Sequence, residues 1–113
     1  MHLRILMLLV VIGLVASIFA SSAVAAGGDS QAGRIKAESC LGCHGIQGYR
    51  NAYPSYRVPR VGGQNEAYLV AALKAYRNGD RTHPTMQAQG ASLSDEDIAD
   101  LAAYFANATG VRK

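Results

Sequence analysis

The sequence predicts an all-α domain with long loops, completed by a large apolar group that it does not itself encode. Three observations carry this reading. Two segments repeat apolar residues at helical spacing, a third runs helically into a Cys/His cluster, and no stretch alternates convincingly as a strand would. Beyond the apolar N-terminus there are 15 Ala but only 14 Val, Ile, Leu, Met and Phe together, with no Trp. A chain this short is marginal even with a full core and usually needs a disulfide, a metal or another staple. Here the large side chains are too few to fill the core alone.

The N-terminus reads as a targeting signal rather than as part of the fold. Met1–Arg4 carries one positive charge, Ile5–Ala20 is almost wholly apolar, and Ala23-Val24-Ala25 is a small-x-small cleavage signature. Cleavage after Ala25 is expected, so residues 1–25 form a signal peptide and 26–113 a single exported domain. A retained anchor is the alternative, disfavoured by Ser17, Ser21, Ser22 and the Ala-rich exit, which interrupt the ~20 apolar residues a spanning helix needs. The signal takes one of the eleven Lys and Arg and none of the eight acids, leaving an excess of +2. The basic residues are scattered and no Lys/Arg run exceeds two, which excludes a nucleic-acid-binding reading.

The first helix is expected to start at Asp29 or Ser30, either able to cap it, and to run through "QAGRIKAESC". The second is "QNEAYLVAALKAYRNG": Leu69, Ala72, Leu73 and Tyr76 stand at i, i+3, i+4 and i+7, and Gly79 is expected to end it as a left-handed cap. In the third, "SDEDIADLAAYFANATG", Ser94 and Asp97 form a capping-box pattern and acids crowd the positive end of the dipole. Ile98, Leu101, Ala102 and Phe105 repeat the one-face spacing. Two loops separate these helices. Gly45–Gly63 carries three tyrosines, three arginines and two prolines, and Asp80–Leu93 carries "RTHPTMQAQGAS".

The chemistry lies in "SCLGCHG", where Cys40 and Cys43 are followed at once by His44. A thiol–disulfide exchanger would place such a pair at a helix start beside a βαβ pattern, and no strands are predicted. Zinc would need Cys40, Cys43, His44 and His83 in one tetrahedron, yet adjacent side chains such as Cys43 and His44 diverge. A structural disulfide across three residues closes a tiny loop, adds little stability and leaves His44 unexplained. Covalent haem accounts for all of it. Two thiols at this spacing add to two vinyl groups of one porphyrin, and the next residue brings an imidazole to the iron. Attachment outside the cytoplasm agrees with the export signal, and the macrocycle supplies the missing apolar core.

An electron carrier needs a second axial ligand, usually Met or His. With Met1, His2 and Met7 in the signal, Met86 is the sole remaining methionine, and His83 the sole remaining histidine besides His44. A lone Met in a polar loop is a poor core filler. His83 precedes Pro84, which biases it to an extended conformation and to the surface. Met86 is therefore assigned as the ligand, with His83 the alternative and an open site the third option.

These residues resemble the class I c-type cytochromes, small mono-haem electron carriers of bacteria. "GRIKAESCLGCHG" is similar to the helix leading into the haem motif, "VPRVGGQNEAYLVAALKAYRNGDR" to the segment after the first loop, "HPTM" to the axial-methionine loop and "LSDEDIADLAAYFA" to the C-terminal helix. Within the class the chain resembles the bacterial group whose tandem relatives carry two such haem domains, with one domain expected here. The resemblance implies a small cytochrome c fold, three main helices with long loops wrapped around one covalently bound haem c. It places the thioethers on Cys40 and Cys43, the proximal ligand at His44 and the distal one at Met86. It also implies that the Pro59 carbonyl accepts the His44 Nδ1 proton, and that Gly33 lets the first helix cross the third near Tyr104 and Phe105. The stretch Tyr49–Arg60 matches no family pattern; binding of the haem propionates or a solvated loop are both open to it.

The function so implied is a mono-haem carrier shuttling single electrons between redox partner proteins in the bacterial periplasm, not an enzyme. It acts as a monomer or in transient complexes, and touches a membrane only if the signal is retained. The alternatives are an electron-transfer subunit docked on a dehydrogenase and a ligand-binding or sensor haem protein.

Overall fold

The computed structural model describes residues 27–53 and 55–108; the expected signal peptide and its cleavage site lie outside them. Among the described residues five helices follow in order: α1 (Ser30–Lys36), α2 (Glu38–His44), α3 (Glu66–Asn78), α4 (Pro84–Gly90) and α5 (Asp95–Asn107). Among the described residues the only β pairing is an isolated antiparallel bridge between Arg50 and Arg57. No helix among them is long and apolar enough to cross a membrane.

Local chemistry explains the helix ends. Asp29, rather than Ser30, caps α1, its carboxylate accepting from the Gln31 and Ala32 amides at 2.8 and 3.2 Å. The expected first helix is broken in two at Ala37. The Ala37 carbonyl accepts from both Cys40 and Leu41, each at 3.0 Å, a shared acceptor that tightens one turn without ending the helical path. Asn65 caps α3 through the Tyr68 amide at 3.0 Å, and Gly79 closes it at φ 83°, a left-handed conformation that favours glycine. Ser94 and Asp97 form the reciprocal capping box that opens α5, each side chain bonding the other's amide at 3.0 Å.

One segment departs from the sequence reading. The stretch taken as a continuous loop between the second and third main helices contains α4. Pro84 occupies its first turn, where the missing N–H is no loss, and His83 caps it by accepting the Met86 amide at 3.3 Å. A helix of two turns leaves too little periodicity to be seen in sequence.

The tightest packing is between α1 and α5. A Cβ at Gly33 would stand 2.0 Å from the Asp100 carbonyl oxygen and 2.9 Å from Tyr104 Cβ, so only glycine permits the crossing. Polar contacts fix the same joint. Asp100, 4 % exposed, accepts from the Asp29 amide and from Lys36 Nζ, both at 2.7 Å, and Lys36 also reaches Asp97 at 2.8 Å. Hydrogen bonds to Asp100 and Asp97 hold the Lys36 ammonium above the ordinary lysine range. In turn the Lys36 hydrogen bond lowers Asp97 to about 2 and keeps Asp100 below its usual range. Ala37, Leu69, Leu101, Ala102 and Phe105 form the buried cluster beside this joint. Among the described residues the large side chains that are completely buried are Ile98 and Leu101, so the core there is as thin as the composition suggests.

Candidate functional site

Beside the buried cluster, lined from α2, α3 and α4, lies an apolar-walled cleft in two adjoining lobes of 420 and 80 Å³. His44, Val61, Leu69, Leu73 and Met86 line both lobes. The larger falls in the size range of small-molecule and cofactor sites. Leu73, Val61 and Leu93 are only partly buried although they pack on the core. That leaves a large apolar surface for a guest to cover.

Each sequence-assigned residue can be placed. Cys40 and Cys43, at i and i+3, share one face of α2. Cys40 lines the small lobe and Cys43 the large one, and both are free thiols of intermediate exposure. Burial pushes the Cys40 thiol up. That is the reverse of the depressed value an exchanging thiolate needs, and both cysteines lie toward the end of α2 rather than at its start. Among the described residues no three His, Cys, Asp or Glu side chains lie together to hold a metal, which leaves the zinc tetrahedron without its ligand set.

His44 is the last residue of α2, and its Nδ1 stands 2.7 Å from the Pro59 carbonyl. A carbonyl can only accept, so Nδ1 carries a proton, and it is Nε2 that is left to offer a lone pair to a metal. Met86 comes from α4, whose existence the sequence did not reveal, and its thioether side chain lines the same two lobes.

His83 occupies a different place from the solvated surface position expected of it. It is half-buried, its Nδ1 is engaged by the Met86 amide, and its ring meets Tyr56 edge-on at 4.7 Å and Tyr76 at 6.3 Å. Cap geometry could have suggested this role, because a residue before Pro at a helix start stands at the cap position.

The described part of residues 49–60 is an ordered ribbon. The Asn51 amide donates to the Tyr56 carbonyl at 2.8 Å and the Val58 amide to the Tyr49 carbonyl at 3.0 Å. Tyr56 shares a hydroxyl–hydroxyl hydrogen bond of 2.8 Å with Thr85. Arg57, Arg60 and Arg81 line the large lobe; Arg81 donates to the Tyr68 hydroxyl at 3.3 Å and stacks over the Tyr76 ring at 4.8 Å. Three guanidiniums on one lobe suit a guest with anionic groups. Sequence reading had Tyr56, Arg57 and Arg60 within a stretch open to propionate binding but missed Thr85, Tyr76 and Arg81 as cleft residues, because only tertiary contact brings them there.

The donor set therefore fits a flat apolar group bearing a metal and anionic substituents. It combines two thiols on one helix face, an imidazole held in one tautomer, a thioether and a cationic lobe.

Comparison with known proteins agrees. Residues 31–109 match the family model for cytochrome c. The chain is 46% identical over 85 residues to cytochrome c-554(548) of Halomonas halodenitrificans, covering 71% of this chain and 96% of that protein. It is 42% identical over 82 residues to cytochrome c4 of Pseudomonas aeruginosa, covering 73% of this chain and 39% of that one. It is also 33% identical over 75 residues to the cytochrome subunit of sulfide dehydrogenase of Chlorobaculum tepidum, covering 66% of this chain and 64% of that subunit. The chain thus spans about two-fifths of the length of the cytochrome c4 relatives it matches. By the family model and by these identities, the chain belongs to the cytochrome c family.

Proposed function

We propose that this chain is an exported mono-haem electron carrier, with residues 1–25 removed as a signal peptide and 26–113 forming the haem domain. The observation that carries the reading is the convergence of His44, with Nε2 free, and Met86 on one cleft flanked by Cys40 and Cys43. Bound haem c supplies a one-electron ferrous/ferric couple, so no substrate bond need be made or broken. The protein's part is to hold and tune. Cys40 and Cys43 supply the covalent attachment. His44 supplies the imidazole, oriented by Pro59 and made a better donor by that hydrogen bond. Met86 supplies a soft thioether that favours the reduced state. Leu69, Leu73 and Val61 exclude water, and the cationic lobe receives the propionates. The partners are a donor and an acceptor protein in the bacterial periplasm, met in transient complexes.

A second reading is an electron-relay subunit docked on a dehydrogenase. The named sulfide dehydrogenase subunit among the relatives favours it, as do two half-exposed apolar residues, Ile46 beside the Cys motif and Tyr68 on the large lobe.

Absorption spectra of the protein matured in a host that attaches haem test the ligation, alongside Met86→Ala and His83→Ala. Loss of the weak long-wavelength iron–sulfur band in Met86→Ala, with new carbon monoxide binding to the ferrous form, is expected. A wild type that lacks the band excludes Met86 as a ligand, and carbon monoxide binding by wild type points instead to a sensor.

A further inference from the structure

The ribbon of residues 49–60 touches His44 directly and, at the other assigned ligand, the residues that lead into Met86. We propose that Tyr56 is a positioning residue for Met86, acting through Thr85 and His83, and that the ribbon carrying Tyr56 and Pro59 sets Met86 and His44 in register. The inference rests on the His44/Met86 reading above.

Tyr56 makes two contacts of different kinds with the start of α4. Its hydroxyl shares a 2.8 Å hydrogen bond with Thr85, the residue before Met86. Its ring meets the His83 imidazole at 4.7 Å with an interplanar angle of 82°, the edge-to-face geometry that aromatic pairs favour. His83 in turn accepts the Met86 amide at 3.3 Å. The two residues that lead into Met86, His83 and Thr85, are therefore both tied to a single side chain outside α4, and the Met86 amide is tied to it through His83. A two-turn helix has little stability of its own, so such ties decide where its first turn sits.

Three residues along the same ribbon, the Pro59 carbonyl receives the His44 Nδ1 proton at 2.7 Å. The ribbon is not slack between these anchors. The Arg50–Arg57 bridge and the hydrogen bonds joining Asn51 to Tyr56 and Val58 to Tyr49 fix its course. Met86 on α4 and His44 on α2 thus share one short rigid reference, although no contact between α2 and α4 is needed to set it.

The test uses the full haem-loaded protein and the variants Tyr56→Phe, Thr85→Val, their combination, and Met86→Ala. Tyr56→Phe removes only the hydroxyl and keeps the ring on His83. Each single variant should weaken the iron–sulfur band and raise the ferrous carbon monoxide affinity about two- to fivefold, the scale of one lost hydrogen bond. The double variant should go no further than either single one, because both remove the same bond. A general loss of packing would move the thermal midpoint while leaving the carbon monoxide affinity alone. If Met86→Ala loses the band while Tyr56→Phe and Thr85→Val match wild type in band and affinity, the ligand reading stands and the positioning role is overturned. Additive effects in the double variant overturn it equally. If Met86→Ala keeps the band, the His44/Met86 reading itself falls and takes the inference with it.

Discussion

The two sides of this molecule solve the problem of a thin core differently. Where α1 crosses α5 the chain finishes the joint with its own atoms. Gly33 admits the Asp100 backbone, and Lys36, Asp97, Asp100 and the Asp29 amide satisfy one another. On the cleft side, α3, α4 and the 49–60 ribbon leave Leu73, Val61 and Met86 half-covered around a 420 Å³ space. One side is complete in amino acids and the other is completed by a cofactor. Stability should therefore depend on haem in one region and on local stereochemistry in the other.

The largest effect should come from withholding the cofactor. A Cys40→Ala/Cys43→Ala protein, unable to attach haem, should show no cooperative thermal transition by circular dichroism. Any residual amide protection in hydrogen exchange should be confined to α1 and α5. Protection spread evenly over α3 and α4 would erase the contrast between the two sides.

Next in size is Gly33→Ala in the haem-loaded protein. The added methyl meets backbone rather than a flexible side chain. Overpacking of that kind costs about 1–3 kcal/mol, read as a lower denaturant midpoint, while the haem spectrum stays normal.

The Lys36 cluster should show itself in pH dependence. Asp97 and Asp100 are lowered in the folded state, so their contribution is present above the ordinary carboxylate value of about 4 and is lost as pH falls toward 2. Lys36 is raised, so its contribution is full below about 10.4 and fades above. The thermal midpoint should hold level between these limits and drop on the acid side. Lys36→Met should lower the plateau and flatten the acid drop. An unchanged acid slope would remove the cluster from the account.

The smallest effect is expected for Ser94→Ala, which breaks the capping box of α5 at a cost of about 1 kcal/mol. Chemical denaturation measures it, and the spectrum should not change.

The same contrast governs what the sequence could disclose. Features that depend on neighbours along the chain were legible: the Ser94/Asp97 box, the Gly79 cap, and the i, i+3, i+4 stripes of α3 and α5. So was the Cys40–Cys43–His44 triplet, because its chemistry needs those residues at that spacing. The break at Ala37 was not, since it arises from one carbonyl serving two amides. Neither was α4, whose seven residues begin at a proline that sequence reading treats as a breaker. His83 was misplaced because its burial is set by Tyr56 on the 49–60 ribbon and Tyr76 on α3, contacts that the local sequence does not show. The close approach at Gly33 came from family resemblance, and Lys36 with Asp100 from neither source, because a buried charge cluster has no periodic signature.

The most direct test of the central claim, that a covalently held haem completes the cleft, is the mass of the denatured protein after maturation with haem. The account predicts one haem per chain, still attached after denaturation and absent from the Cys40→Ala/Cys43→Ala variant. A chain that sheds its haem on denaturation, or that carries none, would contradict it.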